Sequence, residues 1–393
     1  MPVPQKSDRD NPGGFVHIPA LDGVRGIAIL LVLFDHLFWS NDKTGNKVFD
    51  FISAIRDSSY VGVDLFFALS GFLITGILLD TLDAPHYFKT FYARRALRIF
   101  PLYYGFLLLL FCLTPLLHLK WSGWQYLFFT YTANLVPGRW QHTPLHLRFF
   151  NIDQFWSLQV EEQFYWLWPL LVYRLRNARS VARASLIGCG VVFGVRLFCV
   201  LMKHHSGFAD PYLPYSFTPC CADNLLYGCC LAALMRSPWR NRVLRLAPYL
   251  FCAALIVLGV LGALNGGLDW MKPTRAAFLI ATVGFSFVGI GSAGTVALAL
   301  RPGSAATRLF QSRILRFMGE YSYGIYVFHY SVGFVMAPVR SFVDTQLHVK
   351  ALGVLCGAVV AALLSIALAW LSYRFYERPF LRLKRFFSYS GAT

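Results

Sequence analysis

The chain has 393 residues, of which 56% are hydrophobic and 14% charged, and its formal net charge is +17. Soluble domains carry about 25% charged residues, so this deficit and the long apolar runs indicate a polytopic membrane protein. The positive charge does not indicate nucleic-acid binding, because the basic residues lie between the apolar runs and form no soluble basic face.

Ten apolar segments are candidates for transmembrane helices, each of which needs about 20 residues. They lie near residues 26–40, 60–79, 100–117, 155–173, 182–202, 218–235, 246–264, 275–299, 319–338 and 350–372. Lys and Arg are more than twice as frequent in one alternating set of connecting segments as in the other. Because the richer set marks the cytoplasmic side, we predict an all-α bundle of about ten transmembrane helices with cytoplasmic N- and C-termini.

The segments predict one integral-membrane domain over residues 1–380 and a cytoplasmic basic tail over residues 381–393, with no appended soluble domain. The stretch from Glu377 is typical of a basic amphipathic helix on the inner leaflet. The loop over residues 118–154 is rich in Trp and Tyr and is expected to lie along the outer interface. The nine cysteines lack zinc-type spacing, so we expect no metal.

The first segment contains RGIAILLVLFDH, from Arg25 to His36. Eleven residues on a helix turn through about 1100°, so Arg25 and His36 share one face and lie about 16 Å apart along it. Asp35 points about 100° away. Ionisable side chains within a membrane are costly, which favours a functional role for these three residues. Arg25 could instead bind lipid headgroups, and His36 could be a satisfied packing group.

The second segment contains GVDLFFALSGFLI, from Gly62 to Ile74. A carboxylate at Asp64 needs a partner inside the membrane, and Arg25 is one candidate. Ser70 and Gly71 are small enough to allow a neighbouring helix to approach closely, and packing alone could explain them.

The stretch YARRALRIFPLYY precedes the third segment on the predicted cytoplasmic side. Arg95 and Arg98 are three residues apart, so on a helix they share a face, and Arg94 is adjacent. Guanidinium groups bind phosphate in a bidentate manner, although basic residues here could also be ordinary topology determinants.

The fourth and ninth segments carry further polar groups. FWSLQVEEQFYWLWP contains Glu161 and Glu162. Their burial in a membrane costs free energy, which favours a functional role, and Tyr165 follows Glu161 by four residues. EYSYGIYVFHY places Tyr326 and His329 in the membrane or near its outer interface, where the tyrosines could also form an aromatic belt.

Five blocks in this order resemble the membrane-bound acyltransferase 3 family of bacterial O-acyltransferases. They are LDGVRGIAILLVLFDH, GVDLFFALSGFLI, RRALRIFPLYY, WSLQVEEQFYWLWP and YSYGIYVFH, and they cover nearly the full length of the chain. Some members carry an additional hydrolase-like domain outside the membrane, whereas this chain ends soon after its tenth predicted helix.

The resemblance implies transfer of an acyl group, commonly acetyl, from cytoplasmic acyl-CoA to a hydroxyl of a carbohydrate or a glycosylated small molecule. The expected location is the bacterial inner membrane. We expect His36, Asp35, Glu161 and Arg25 to be catalytic. We expect Arg25, Arg94, Arg95, Arg98 and Ser70 to bind acyl-CoA. We expect the acceptor to contact Asp64, Trp156, Glu162, Tyr165, Tyr326 and His329.

In this hypothesis His36 is the base, because its unperturbed pKa near 6.5 suits proton transfer at neutral pH. Asp35 or Asp64 could orient its ring, and either direct transfer or an acyl-His36 intermediate fits. A proton-coupled transporter or flippase of a glycan precursor is the alternative, since charged residues within the membrane also serve such proteins. A non-catalytic subunit of a glycan export complex is a third possibility.

Overall fold

The computed structural model describes residues 17–38, 52, 55–117, 123–136, 152–206, 212–347 and 350–389. Within these ranges the chain is predominantly helical and contains no β-strand, which confirms the all-α prediction. The principal helices are α1 (Pro19–Leu37), α2 (Val61–Asp80), α3 (Tyr87–Cys112), α4 (Trp156–Leu175), α5 (Ala178–Ser206), α6 (Asp223–Leu234), α7 (Arg240–Asn265), α8 (Arg275–Ala299), α9 (Arg313–Glu320), α10 (Ser322–Val335), α11 (Ala337–Leu347) and α12 (Lys350–Ser372).

Several helix ends follow directly from local sequence. Pro19 stands in the first turn of α1, where its missing N–H is not needed. The hydroxyl of Thr274 accepts a hydrogen bond from the Ala277 amide at the start of α8. Gly266, with φ of +65°, ends α7 in the left-handed conformation that glycine adopts without steric cost.

Among the described residues, six helical segments are long and apolar enough to cross a membrane, namely α2, α3, α5, α7, α8 and the segment Leu352–Phe386, which includes most of α12. The other four predicted positions hold α1 and α4, which carry charged residues, and α6 and α10, which are shorter. A helix therefore lies at each of the ten predicted positions. The count of ten transmembrane helices and the cytoplasmic side of the termini remain predictions.

The helix α2 lies at the centre of the bundle, with 72% of its apolar window buried, whereas α7 is peripheral, with 17% buried. Two glycines bring α2 against α6. A Cβ atom on Gly71 would lie 2.0 Å from the Leu225 carbonyl oxygen, and one on Gly228 would lie 1.9 Å from that of Ala68. This confirms the close helix approach predicted at Gly71.

A buried ion pair joins α5, α6 and α8. Arg196 is fully buried, and its guanidinium Nη1 lies 2.9 Å from the carboxylate of Asp223. The same group donates to the Cys220 carbonyl at 2.8 Å and to Ser286 Oγ at 2.6 Å. These contacts compensate much of the cost of placing a charge inside the bundle.

Short 3₁₀ segments connect α3 and α4 over Gly123–Thr130, Ala133–Leu135 and Asp153–Phe155. Asn134 fastens this region, because its amide N–H donates to Gln159 and its side chain contacts Gln163 and Thr218. The remaining parts of the predicted outer loop, residues 118–122 and 137–151, lie outside the described residues, as do the last four residues of the predicted tail.

Candidate active site

A cavity opens between α1, α2, α3, α4 and α10 and encloses about 850 Å³ including its open mouth. Apolar side chains from α2 form much of the wall. The polar lining groups are Arg25, Ser70, Arg95, Arg98, Ser157, Glu161, Glu162, Tyr165, Ser322, Tyr323 and Tyr326. Three guanidinium groups and two carboxyl groups therefore line one cavity.

The three arginines of the cavity are only weakly paired. The carboxylate of Asp22 lies 3.8 Å from the guanidinium of Arg25, which is 24% exposed. The guanidinium of Arg95 lies 5.8 Å from the ring centres of both Phe91 and Tyr165. Within the described ranges, neither Arg95 nor Arg98 forms an ion pair with a carboxylate. Positive charge is thus available in the cavity for an anionic ligand.

A short chain of hydrogen bonds links α2 to α4 in the cavity wall. The Tyr165 hydroxyl donates to Glu161 Oε2 at 3.0 Å. Because its proton is used there, the Tyr165 oxygen accepts from Ser70 Oγ, which lies 2.5 Å away. The neighbouring Glu162 is buried, and its Oε1 has no hydrogen-bond partner among the described residues. The two carboxyl groups therefore stand in different environments, although both line the cavity.

Tyr326 on α10 lies between this cavity and a pair of histidines. Its hydroxyl lies 2.5 Å from Ser157 Oγ and donates to the Gln154 carbonyl at 2.7 Å. Its own carbonyl oxygen lies 2.8 Å from His329 Nδ1. One residue thus contacts the cavity through its side chain and the histidine pair through its backbone.

The histidine pair joins α1 to α10. His36 Nδ1 lies 2.9 Å from His329 Nε2, and the two ring centres are 5.0 Å apart. The ring of Tyr330 packs edge-on against His36, with centres 4.9 Å apart. A carboxylate oxygen of Asp35 lies 3.6 Å from His36 Nε2. His36 does not belong to the cavity lining, so the cavity and the histidine pair are neighbouring parts of the candidate site.

The structure separates the predicted site residues into three sets. The cavity contains Arg25, Ser70, Arg95, Arg98, Glu161, Glu162, Tyr165 and Tyr326. The histidine pair and Asp35 form the second set. Asp64, Arg94 and Trp156 belong to neither.

Asp64 does not pair with Arg25, which was the partner considered from the sequence. It is buried, and its Oδ1 accepts a hydrogen bond of 2.5 Å from the Asn224 side chain on α6. Trp156 packs instead against the rings of Phe67 and Tyr215, with ring centres 5.9 and 4.7 Å away. Both residues lie outside the cavity lining because their side chains point into helix–helix contacts.

Arg94 is also separated from its neighbours on α3. Its guanidinium donates to the carbonyl oxygen of Phe387 at 2.8 Å, so it holds the C-terminal segment against α3. Adjacent residues on a helix point about 100° apart, which explains why Arg95 lines the cavity and Arg94 does not.

Sequence reasoning missed four polar residues of this region, namely Gln154, Ser157, Ser322 and Tyr323. All are uncharged, so the cost of burying a charge did not single them out. Tyr323 precedes Tyr326 by three residues and therefore shares its helix face, which would have been a usable indication. Among the described residues, no group of three or more His, Cys, Asp and Glu side chains could hold a metal ion.

Residues 18–374 match the family described as "Acyltransferase domain". The chain is 28% identical over 390 residues to the peptidoglycan O-acetyltransferase OatA of Listeria monocytogenes, covering 95% of this chain and 57% of the relative. It is 30% identical over 400 residues to the putative peptidoglycan O-acetyltransferase YrhL of Bacillus subtilis, covering 95% and 56%.

The chain is also 27% identical over 382 residues to the putative O-acetyltransferase SACOL0978 of Staphylococcus aureus, covering 93% of this chain and 57% of the relative. The chain therefore spans little more than half the length of these curated relatives. No solved structure matches the chain significantly.

Proposed function

The chain belongs to the acyltransferase 3 family, and we propose that it moves an acetyl group from cytoplasmic acetyl-CoA to a hydroxyl of a carbohydrate. The acceptor is a glycan of the bacterial cell envelope or one exported through the inner membrane. Three relatives named as O-acetyltransferases support the reaction, and two of their names specify peptidoglycan.

The observation that carries this proposal is the cavity with three arginines and two carboxyl groups. Coenzyme A bears a pyrophosphate and a further phosphate, and guanidinium groups suit such anions because they form paired, charge-assisted hydrogen bonds. Arg95 and Arg98 are available for these phosphates, since carboxylates of the described chain do not neutralise them. Arg25 would hold the next part of the donor.

The acyl group would then travel along α1 towards His36, about 16 Å from Arg25 by helical geometry. His36 takes the proton of the attacking hydroxyl, whose oxygen forms a bond to the acyl carbon. The thioester C–S bond breaks, and the coenzyme A thiolate leaves with a proton as the thiol. Tyr326 lines the cavity and contacts His329, so it would border the path of the acyl group.

The test uses the full chain in membranes with radiolabelled acetyl-CoA and purified peptidoglycan or cell-surface polysaccharide as probes. We expect His36→Ala to reduce transfer by at least 10²-fold, the lower end of general acid–base contributions. His86→Ala is the matched control, because His86 is exposed and lies outside the cavity. Undiminished transfer by His36→Ala would contradict the role of His36.

A transporter of a glycan precursor predicts a different result. In that case vesicles containing the protein would move the glycan without acetyl-CoA, and no labelled acetate would reach a hydroxyl. Mass spectrometry of surface glycans from cells with and without the gene would identify the acceptor, because the glycan that loses its acetyl esters in the absence of the gene is the acceptor.

A further inference from the structure

The contacts of the two histidines determine which ring nitrogens carry protons. The Tyr326 carbonyl oxygen can only accept a hydrogen bond, and it lies 2.8 Å from His329 Nδ1. His329 Nδ1 therefore carries the proton. In a neutral imidazole the other nitrogen then has a lone pair, so His329 Nε2 is an acceptor.

The protonation of His329 determines that of His36. Its Nδ1 lies 2.9 Å from His329 Nε2, so a hydrogen bond between two neutral rings requires His36 Nδ1 to carry the proton. The remaining nitrogen of His36, Nε2, then has the free lone pair. We propose that His329 is a positioning residue that holds His36 in this tautomer and makes Nε2 the reactive atom. This inference rests on the proposed function, and it replaces the acceptor-binding role expected for His329 from the sequence.

The burial of His329 supports a positioning role. The side chain is fully buried, and both ring nitrogens are occupied, one by a backbone carbonyl and the other by His36. An acceptor-binding side chain needs a free polar atom facing the ligand, and His329 has none. The carbonyl belongs to the backbone of α10, so the tautomer is set by a rigid element.

The position of Asp35 fits the same assignment. Its carboxylate lies 3.6 Å from His36 Nε2, which is too long for a hydrogen bond but suits an ion pair. A carboxylate cannot donate to the Nε2 lone pair, and therefore Asp35 does not set the tautomer of the neutral ring. It acts when Nε2 takes the hydroxyl proton and the ring becomes positive, because the nearby negative charge then stabilises the imidazolium.

The proton balance closes within the pair. The hydroxyl proton moves to His36 Nε2, and the Nδ1 proton can shift across the 2.9 Å contact to His329 Nε2. Both shifts reverse when the departing coenzyme A thiolate takes the proton from Nε2 and leaves as the thiol. If the acyl group instead passes through an acyl-His36 intermediate, the same lone pair on Nε2 forms the bond to the acyl carbon as the thioester C–S bond breaks, and the thiolate leaves as the thiol with a proton from the ring. The acceptor hydroxyl then forms the ester as the Nε2–acyl bond breaks, and its proton returns to the ring.

The first test compares His329→Gln with His329→Leu in the full chain. The Gln amide oxygen reaches about as far as Nε2 and can accept from His36 Nδ1, whereas Leu offers no acceptor. We expect kcat to fall by less than about tenfold in His329→Gln and by about 10²-fold or more in His329→Leu. The KM for acetyl-CoA should stay unchanged in both, because neither variant touches the arginines of the cavity.

Two kinetic results would overturn the proposal. Equal losses in the Gln and Leu variants would mean that a hydrogen-bond acceptor at this position is unimportant. A raised KM for the glycan with an unchanged kcat would assign His329 to acceptor binding. Wild-type protein that transfers no acetyl group would contradict the proposed function instead, and the second test would still report on the tautomer.

The second test needs no active variant. Nitrogen-15 NMR of the full chain with labelled histidine distinguishes protonated from unprotonated ring nitrogens, and His36→Ala identifies the signals of His36 by their loss. We expect a protonated Nδ1 and an unprotonated Nε2 for His36 at neutral pH. A protonated Nε2 with an unprotonated Nδ1 would contradict the assignment, whether or not the His329 variants fold.

Discussion

Arg196 on the one hand, and Arg95 with Arg98 on the other, lie inside the bundle in contrasting environments. Arg196 is fully buried and contacts a carboxylate, a hydroxyl and a carbonyl from neighbouring segments. Arg95 and Arg98 face a cavity and form no ion pair within the described ranges. Arginine thus stabilises the fold where the chain supplies its partners, and it is available to an anionic ligand where the chain supplies none.

The largest expected effect concerns the contribution of the Arg196–Asp223 ion pair to stability. Arg196→Met should destabilise the protein by about 3–5 kcal/mol, because it leaves the buried Asp223 carboxylate without its countercharge. Thermal unfolding of the purified full chain in detergent, followed by intrinsic fluorescence, measures the change.

Two further variants control this prediction. Arg196→Met combined with Asp223→Leu should recover most of the lost stability, since replacing both partners removes the unpaired charge. Arg240→Met, at an exposed position, should change stability by less than about 0.5 kcal/mol. A single Arg196→Met variant as stable as wild type would show that the ion pair is not structurally important.

The next prediction tests whether Arg95 and Arg98 bind the acetyl donor. Arg95→Ala together with Arg98→Ala should raise the KM for acetyl-CoA by roughly 10- to 100-fold, since hydrogen bonds to charged groups contribute about 1.5–3 kcal/mol. Stability should change little because these side chains form no ion pair in the described chain. Initial rates at varied acetyl-CoA concentration provide the measurement. An unchanged KM would indicate that the two arginines determine topology only.

Disruption of the hydrogen-bonded chain between α2 and α4 should have a smaller effect. Tyr165→Phe removes the group that joins Ser70 to Glu161, and we expect kcat/KM to fall by about fivefold to tenfold, or about 1 kcal/mol. Ser70→Ala combined with Tyr165→Phe should cost less than the sum of the single losses, because both act through one hydrogen-bonded chain. Fully additive losses would show that the two hydroxyls act separately.

The smallest expected effect comes from Arg94, which differs from Arg95 in its surroundings. Arg94 neighbours Arg95 in sequence but binds the Phe387 carbonyl instead of lining the cavity. Arg94→Ala should therefore leave the KM for acetyl-CoA within about twofold and cost about 1 kcal/mol of stability, the typical contribution of one hydrogen bond. A KM as high as that of the Arg95 and Arg98 variant would place Arg94 in the donor site.

Much of the fold was predictable because a membrane helix requires a long run of apolar residues, which is visible in the sequence. The apolar runs marked the ten helix positions, and Gly71 marked a close helix contact. The spacing of Arg25 and His36 placed both on one helix, and α1 contains both. Adjacent charges such as Glu161 and Glu162 stood out because charged groups are rare in membranes.

The partners of these residues were not predictable in the same way. The sequence offered Arg25 as a partner for Asp64, but Asn224 fills that position from α6. Arg196 and Asp223 lie on different helices, and nothing in either segment indicates the other. His36 and His329 are 293 residues apart, yet their rings form one hydrogen-bonded pair.

The sequence by itself therefore determined the membrane class, the helix positions and the polar residues that need an explanation, because each depends on local spacing and composition. The tertiary structure alone decided which of those residues meet. Helix rotation and packing set that outcome, and a shift of one residue turns a side chain through about 100°. That rotation separates Arg94, which contacts the C-terminal segment, from Arg95, which lines the cavity. Helix packing likewise brings His329 Nε2 to Nδ1 of His36.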